Sequence, residues 1–402
     1  MLKCLALAGV GPAKFLEIDF SSRLNLITGD NGLGKSFLLD VAWWALTRTW
    51  AREVILPPPG TDSPSIEAKF SSKVKAQHDL RVTFDRQSQK WSAPRRGRPP
   101  IPGLVIYTQV DGGFSCWDPA RNYWQDETQA RPAKFGFLPD QVWNGNEHCE
   151  GLVRDWASWQ REGNQSFHLL ERVLRALSAD PELPIRPGVL RIISLEDPKK
   201  YPTLVMPYGQ EVPVVHASAG MRRIIALAYL LVWTWTRHLE ACQLIGQPPA
   251  NELLFLIDEM EAHLHPQWQR RVAPALLAVT KELTGLSVQL LATTHSPLVM
   301  ASCEPLFDPK FDTVWELGLQ DHKVTLEQFP WHRRGDANAW LTSSVFNLKR
   351  ARSVEAEQAL LAAQEILRQS LPKRSEIHRV TQLLQASLSD TDPFWVRWSA
   401  LG

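Results

Sequence analysis

The chain has 402 residues, 44% of them hydrophobic, so it can bury one large core or two ordinary ones and is not a disordered chain. Its 44 Lys and Arg residues against 43 Asp and Glu residues leave a formal net charge of +1, which excludes a global attraction to nucleic acid or anionic membrane. Five scattered cysteines without a C-x-x-C pair argue against a disulfide framework or a zinc site and favour a reducing, cytoplasmic location.

Residues 1–50 predict two strands, a glycine-rich turn and a helix. The turn, Gly29-Asp-Asn-Gly-Leu-Gly-Lys-Ser36, matches the phosphate-loop pattern G-x-x-x-x-G-K-[ST] between a strand-like and an apolar helical segment. Backbone N–H groups and the helix dipole would both point at an anion there. A turn before a core helix is the alternative. We expect a nucleoside triphosphate site formed by Gly29, Asp30, Asn31, Gly32, Leu33, Gly34, Lys35, Ser36 and Phe37, with Lys35 at the phosphates and Ser36 on Mg²⁺.

The middle of the chain predicts strands and then helices. Strands are expected over residues 65–70, 79–84 and 103–108, with a Pro/Arg loop over residues 93–102 that either contacts phosphate or is solvated. Residues 111–185 read as loops followed by an amphipathic helix near residues 167–177, and residues 189–215 as short strands. We interpret most of the 17 tryptophans, such as Trp43, Trp233 and Trp340, as core residues.

Residues 218–317 alternate helix and strand, as in a doubly wound sheet. The apolar run of residues 224–235 is too short to cross a membrane, and residues 1–8 lack the length of a signal peptide. Residues 351–388 predict two polar amphipathic helices separated near residues 371–373. No internal repeat or coiled-coil heptad run is apparent in the sequence.

An apolar strand at residues 253–257 ends in two acids, Asp258 and Glu259. Ligands bind at the carboxyl ends of strands in open α/β sheets, and Mg²⁺ prefers hard oxygen ligands. We therefore expect Asp258 to hold the Mg²⁺ shell and Glu259 to orient or deprotonate the attacking water; a helix cap is the alternative. His263 and His265 lie two residues apart, but a strand-to-helix turn explains them better than a metal site.

A second apolar strand, residues 288–294, ends at His295, which could face the γ-phosphate or be an ordinary satisfied histidine. Before the apolar helix, Ser218 and Gly220 begin a helix whose N-terminus either binds an anion or is merely capped.

The chain resembles the ABC-type ATPases in the order of its motifs: the phosphate loop, the Ser-x-Gly helix start, the Ile-Asp-Glu strand and the Thr-His strand. Two segments, Asp258-Glu-Met-Glu-Ala-His-Leu-His-Pro266 and Thr293-Thr-His-Ser-Pro297, are similar to those of the RecF/SMC/OLD branch. The resemblance covers roughly residues 1–330. The resemblance implies an α/β fold: an ABC-type ATPase head with a P-loop core sheet, an antiparallel β subdomain and a helical subdomain, plus C-terminal helices.

The same resemblance implies an ATP hydrolase with ATP and Mg²⁺ as cofactors. Glu259 would activate water, His295 would sense the γ-phosphate, and Gln109, after the strand at residues 105–108, would be the Q-loop ligand of the metal. Ser218 and Gly220 would be signature residues that cap the γ-phosphate of an opposite subunit. A head-to-tail homodimer, or a higher homo-oligomer, would close on two ATP molecules.

Small members of this branch without coiled-coil arms resemble the ATPase subunits of bacterial anti-phage systems such as the Septu type, which work with a separately encoded nuclease. The resemblance thus implies an effector partner. The tail helices are either a docking element for this partner or a helical cap on the ATPase. We expect four parts: residues 1–110 and 216–345 as the two ATPase lobes, 111–215 as an insertion, and 346–402 as a helical tail.

Three other functions stay open. The dimer could clamp DNA directly, as in DNA repair, through a local patch of Arg222, Arg223, Arg333 and Arg334. The chain could also be the nucleotide-binding subunit of a transporter, or a single-subunit kinase. The kinase would leave the Ser218 segment without a role.

Overall fold

The structure is a computed structural model that describes residues 1–71, 78–92, 102–122, 133–346, 348–369, 371 and 373–399. The chain forms two compact units, Met1–Ala337 and Asn338–Gly402. The predicted Pro/Arg loop lies, but for residue 102, outside the described residues. The finer division into four parts stays a prediction.

Strands dominate the first unit. In chain order they are β1 (Leu2–Ala8), β2 (Phe15–Asp19), β3 (Leu24–Gly29), β4 (Ser65–Phe70), β5 (His78–Asp85), β6 (Lys90–Ser92), β7 (Leu104–Thr108), β8 (Phe114–Trp117), β9 (Phe135–Phe137), β10 (Arg186–Pro187), β11 (Arg191–Ile192), β12 (Lys200–Tyr201), β13 (Thr203–Val205), β14 (Glu211–Pro213), β15 (Glu252–Ile257), β16 (Ser287–Thr293), β17 (Asp312–Gln320) and β18 (Lys323–Gln328).

Helices separate and follow these strands. They are α1 (Lys35–Thr47), α2 (Pro139–Asn144), α3 (Leu152–Glu162), α4 (Gln165–Ala176), α5 (Ala219–Ile245), α6 (Pro266–Gln269), α7 (Val272–Thr284), α8 (Pro297–Cys303), α9 (Ala337–Leu341), α10 (Val354–Arg368), α11 (Arg374–Ser387) and α12 (Phe394–Trp398), with a 3-10 turn at Val214–His216. Among the described residues, no helix is both long enough and apolar enough to cross a membrane.

The central sheet has eight strands in the order β18-β17-β3-β16-β15-β7-β8-β9. From β17 to β7 the neighbouring strands are parallel, and antiparallel strands complete both edges. The apolar run of β15 is buried, as expected for a parallel strand covered on both faces. Because parallel strands end at the same edge of a sheet, the residues that follow β3, β15 and β16 are brought together.

A second sheet, with the order β2-β1-β4-β5-β6, is antiparallel throughout. Helix α1 lies in the core that joins the two sheets, where buried Trp43 belongs to the same apolar cluster as Leu5 of β1 and Leu254 of β15. Trp233 and Trp340 are also buried, which confirms the interpretation of these tryptophans as core residues. The predicted fold class is confirmed.

Two local predictions were wrong. Residues 1–50 contain three strands rather than two, because Gly9 and Gly11, both with positive φ, turn the chain between β1 and β2. Residues 111–185 are not loops before the helices begin, since β8 and β9 extend the central sheet there. Both strands are too short to show a clear sequence period.

The second unit contains the two predicted tail helices, α10 and α11, which pack through Ala359, Ala363 and Leu384. Ser353 caps α10 by accepting a hydrogen bond from the Ala356 N–H at 3.1 Å. Their boundaries, Val354–Arg368 and Arg374–Ser387, confirm the helices predicted over residues 351–388.

Candidate nucleotide-binding site

The turn between β3 and α1 needs glycine at both ends. Gly29 has φ +132°, and a Cβ there would lie 2.1 Å from the carbonyl oxygen of Leu317. Gly34 has φ +100° and immediately precedes α1, where a Cβ would lie 2.8 Å from Pro12. These conformations keep the backbone of the turn clear of side chains, which suits close approach by a phosphate.

Lys35 lies at the first position of α1 and folds back over the turn. Its ammonium donates hydrogen bonds to the carbonyl oxygens of Gly29 at 2.9 Å and Asp30 at 2.8 Å. Burial lowers the pKa of Lys35, and the carboxylates of Glu259 and Asp258 oppose that shift. A cation is thereby held directly above the backbone cradle.

The other loop residues divide into two groups. Asp30, Asn31 and Gly32 are exposed, whereas Leu33 is buried and Phe37 is half-buried. The Phe37 ring packs against Gly11, because a Cβ on Gly11 would lie only 2.4 Å from it. Leu33 and Phe37 therefore direct their side chains into packing, and the nucleotide contact predicted for them would have to come from the backbone.

Asp258 follows β15 and is fully buried. Its Oδ1 accepts hydrogen bonds from Ser36 Oγ and from Thr293 Oγ1, both at 2.9 Å. The structure thus joins two predicted metal ligands that lie 222 residues apart in the chain. Carboxylate and hydroxyl oxygens are the donors that Mg²⁺ selects, so the residues present fit this ion.

The other Asp258 oxygen faces a cation that sequence reasoning missed. Arg52 Nη2 lies 3.5 Å from Asp258 Oδ2 and donates to the Tyr107 hydroxyl at 3.0 Å. The same guanidinium pairs with Asp40 at 2.9 Å. Burial raises the pKa of Asp40, and Arg52 opposes that shift. Arg52 belongs to no motif, so no sequence signal could have placed it here.

Glu259 has a positive φ of +46°, a conformation that costs a non-glycine residue on the order of 1–3 kcal/mol. The strained peptide is held because the Glu259 N–H donates to Thr293 Oγ1 at 2.7 Å. The side chain stays 37% exposed, and its Oε1 lies 3.7 Å from His295 Nε2. Glu259 therefore presents a carboxylate to the solvent side of the site, as its predicted role requires.

His295 follows β16 and carries a buried ring nitrogen, Nε2, that lacks a hydrogen-bond partner among the described residues. Burial lowers the pKa of His295, the nearby Lys35 cation lowers it further, and Glu259 opposes both. The imidazole is therefore favoured as the neutral form, with one nitrogen free. A buried polar atom without a partner usually has a role, and this one fits a γ-phosphate oxygen or the attacking water.

Ser218 caps α5, accepting a hydrogen bond from the Met221 N–H at 3.4 Å, and its side chain is exposed. Gly220 is buried in the first turn of α5. A Cβ on Gly220 would lie 2.7 Å from the carbonyl oxygen of His263, so the helix start rests directly on the turn after β15. Their predicted contact with an opposite subunit stays a prediction.

We expect Gly220→Ala to lower the thermal unfolding midpoint, because the added Cβ would push α5 away from a backbone atom that cannot rotate aside. Overpacking of this kind costs about 1–3 kcal/mol. Gly136→Ala is the matched control, since a Cβ there meets nothing closer than 3.7 Å. Equal midpoints for the two variants would show that α5 shifts freely at this contact.

Gln109 follows β7 and is buried. Its side-chain amide donates to Ser115 Oγ at 3.4 Å, and its backbone N–H donates to the Gly113 carbonyl at 2.9 Å. The amide is thus bonded to β8 rather than to Ser36 or Asp258. Its role as a metal ligand stays a prediction.

Arg223 does not belong to a free basic patch. Its guanidinium donates to three backbone carbonyls, those of Gln109 at 3.0 Å, Val110 at 3.1 Å and Asp258 at 3.2 Å. Burial lowers the pKa of Arg223, and Asp258 opposes that shift. The predicted DNA-binding patch therefore loses this residue.

The histidine pair after Asp258 forms a turn. His265 caps α6 by accepting a hydrogen bond from the Gln267 N–H at 3.4 Å. The described residues contain no group of three or more His, Cys, Asp or Glu side chains that could hold a metal ion by themselves. Both histidines lie between β15 and α6, so the predicted strand-to-helix turn is confirmed.

Two family models, each described as an AAA domain, match this chain over residues 4–141 and 135–301. The description of the second also names the AbiEii toxin and a type IV TA system. With the phosphate loop, Asp258 and His295 at one sheet edge, these matches indicate a P-loop ATPase domain. They confirm the predicted resemblance to the ABC-type P-loop ATPases of the RecF/SMC/OLD branch.

The chain is also similar to individual proteins of known sequence or structure. Septu protein PtuA from Bacillus thuringiensis is 23% identical over 306 residues, covering 74% of this chain and 72% of that protein. The "Retron Vc95 probable ATPase" of Vibrio cholerae serotype O1 biovar El Tor is 33% identical over 99 residues, 24% of this chain and 18% of that protein. The SMC head domain from Thermotoga maritima aligns at 15% identity with a TM-score of 0.42, over 82% of this chain and 99% of that chain.

Proposed function

We propose that this protein binds and hydrolyses ATP with Mg²⁺, and that ATP closes a homodimer which controls a separately encoded effector, a nuclease, in bacterial anti-phage defence. The observation that carries the proposal is the cluster at the carboxyl edge of the central sheet. There Lys35 covers the glycine turn, Ser36 and Asp258 share a hydrogen bond, and His295 keeps a free ring nitrogen beside Glu259.

Each side chain has a task in phosphoryl transfer. The Lys35 ammonium and the N–H groups of the turn would hold the β- and γ-phosphates, while Ser36 and Asp258 would hold Mg²⁺, which neutralises phosphate charge when bound. Glu259 would accept a proton from the attacking water. His295 would donate a hydrogen bond to a γ-phosphate oxygen, as its unpartnered Nε2 allows.

The exposed start of α5 supports the proposed dimer. Ser218 is exposed and its helix N-terminus attracts anions, so it can cap a γ-phosphate presented by a second copy. ATP shifts the protein towards the closed dimer only if the closed state binds ATP more tightly, and a site completed by two subunits supplies that difference.

The effector and the defence role rest on the likeness to Septu protein PtuA, which extends along most of both chains. The tail helices are the proposed docking element. A cytoplasmic site of action agrees with the five cysteines, all of which are free thiols.

The proposal is tested by ATP turnover and by mass from light scattering, each with and without ATP·Mg²⁺. We expect turnover and an increase from the monomer to a dimer or a larger assembly that depends on ATP. A monomer under all conditions would remove the paired-site mechanism. DNA binding with a steep salt dependence, in the absence of any effector, would instead favour the DNA clamp.

A further inference from the structure

The carboxylate of Glu261 joins two loops of the site. Its Oε2 accepts a hydrogen bond from Thr294 Oγ1 at 2.7 Å, and its Oε1 accepts one from the backbone N–H of His295. Burial raises the pKa of Glu261, while both hydrogen bonds oppose that shift by stabilising the carboxylate. A half-buried acid that accepts two such bonds is a strong clamp, because hydrogen bonds to an ionised acceptor are about twice as strong as neutral ones.

Other hydrogen bonds align the same two loops on either side of Glu261. The Met260 N–H donates to the Thr293 carbonyl at 3.1 Å. Beyond His295, Ser296 Oγ donates to Gln269 Oε1 at 2.7 Å, and the Gln269 amide donates to the Leu264 carbonyl at 2.9 Å. Within this series, Glu261 supplies the bond to His295 itself.

The backbone bond matters because the peptide of His295 carries the ring. Its Nε2 lacks a hydrogen-bond partner among the described residues and lies 3.7 Å from Glu259 Oε1. The place of the ring therefore depends on the place of its peptide. A displacement of about 1 Å in a catalytic group can cost on the order of 100-fold in rate.

The turn that carries Glu261 also touches the start of α5. A Cβ on Gly220 would lie only 2.7 Å from the carbonyl oxygen of His263. His263 has a φ of +63°, so this turn is held in a specific, strained conformation. A movement of α5 would therefore reach this turn first and the loop of His295 through it.

From these contacts we infer that Glu261 is a positioning residue: its carboxylate sets the place of His295 and couples it to the start of α5. Glu261 itself contacts neither the phosphate loop nor Asp258 in the hydrogen bonds described above, so it acts through His295. This inference rests on the proposed function, in which His295 faces the γ-phosphate.

The first test measures amide hydrogen exchange in the protein without nucleotide, which reports on the clamp independently of activity. Glu261→Ala should speed exchange of the His295 amide at least tenfold and leave the amides of β16 unchanged. Glu261→Gln keeps one acceptor oxygen, so its exchange should lie between wild type and Glu261→Ala. Glu240→Gln removes an exposed acid on α5 and serves as the control. Unchanged exchange at His295 in Glu261→Ala would overturn the inference.

The second test separates positioning from general stability. Glu261→Ala should lower kcat for ATP by about 100-fold and leave KM within about threefold. In a His295→Ala background the same substitution should cause no further loss, because the two residues act as one unit. An equal loss in both backgrounds would overturn the inference. If Glu261→Ala does not fold, Thr294→Val removes one donor and Thr294→Ser restores it.

The two proposals fail in different ways. A wild-type protein without ATP turnover would refute the proposed function, yet hydrogen exchange would still report whether Glu261 holds His295. Normal turnover in wild type together with normal turnover in Glu261→Ala would refute this inference alone.

Discussion

Lys35→Ala should weaken ATP binding by on the order of 100-fold or more, measured by titration calorimetry with ATP·Mg²⁺. The Lys35 ammonium is held above the glycine turn by two carbonyl oxygens at 2.8 and 2.9 Å, so little conformational freedom is lost when it turns to a phosphate. Removing one partner of a hydrogen-bonded charge pair costs about 2–5 kcal/mol. Because about 1.4 kcal/mol is a tenfold change, this corresponds to roughly one and a half to three and a half orders of magnitude.

The control must show that the missing charge, and not a loosened loop, causes the loss. Lys134 offers a chemical match, because its ammonium also donates to backbone carbonyls, those of Trp50 and Ala51. Burial lowers its pKa, as it does that of Lys35. Lys134→Ala should bind ATP with unchanged affinity. Wild-type affinity in Lys35→Ala would contradict the phosphate-loop assignment.

The parts of the site that sequence reasoning found share one property: each follows a strand of the central sheet. Ser36, Asp258 and His295 are separated by long stretches of chain, yet each follows an apolar run that ends at the same edge. Local pattern identifies the strands, and parallel pairing brings their ends together. Knowledge of the register was unnecessary for this conclusion.

The residues that were missed are long side chains that reach across loops. Arg52, Glu261 and Arg223 act on Asp258 or His295 through contacts that depend on the path of a turn rather than on a strand. Such contacts leave no periodic signal in sequence. Glu261 had the best available clue, because it lies three residues after Asp258 in an otherwise apolar and histidine-rich turn.

Gln109 illustrates a related difficulty. Its position after β7 is compatible with a site residue, because β7 lies next to β15 in the sheet. Its amide nevertheless bonds to Ser115 of β8, a strand that the sequence did not reveal. Where a neighbouring strand is missed, the direction of a side chain at a strand end cannot be deduced.

Glu259→Gln should lower ATP turnover by about a thousandfold while ATP affinity stays near that of wild type, because general base catalysis contributes roughly 10²- to 10⁴-fold. The amide has the shape of the carboxylate but cannot take a proton from water. The glutamine would adopt the same positive φ of +46° as Glu259, so the substitution leaves the backbone strain in place. Phosphate release measures turnover, and calorimetry measures affinity.

The same variant distinguishes a switch from a simple hydrolase. If closure requires ATP and opening requires hydrolysis, Glu259→Gln with ATP·Mg²⁺ should accumulate the dimer that wild type forms only transiently. Light scattering reads the mass directly, and Glu240→Gln, an exposed acid far from the phosphate loop in sequence, should behave as wild type. Normal turnover in Glu259→Gln would remove this residue from the catalytic role. If the variant loses turnover but keeps the mass of a monomer, Glu259 would keep its role as the base. Hydrolysis would then be separate from dimer closure, because the slowed step has no effect on assembly.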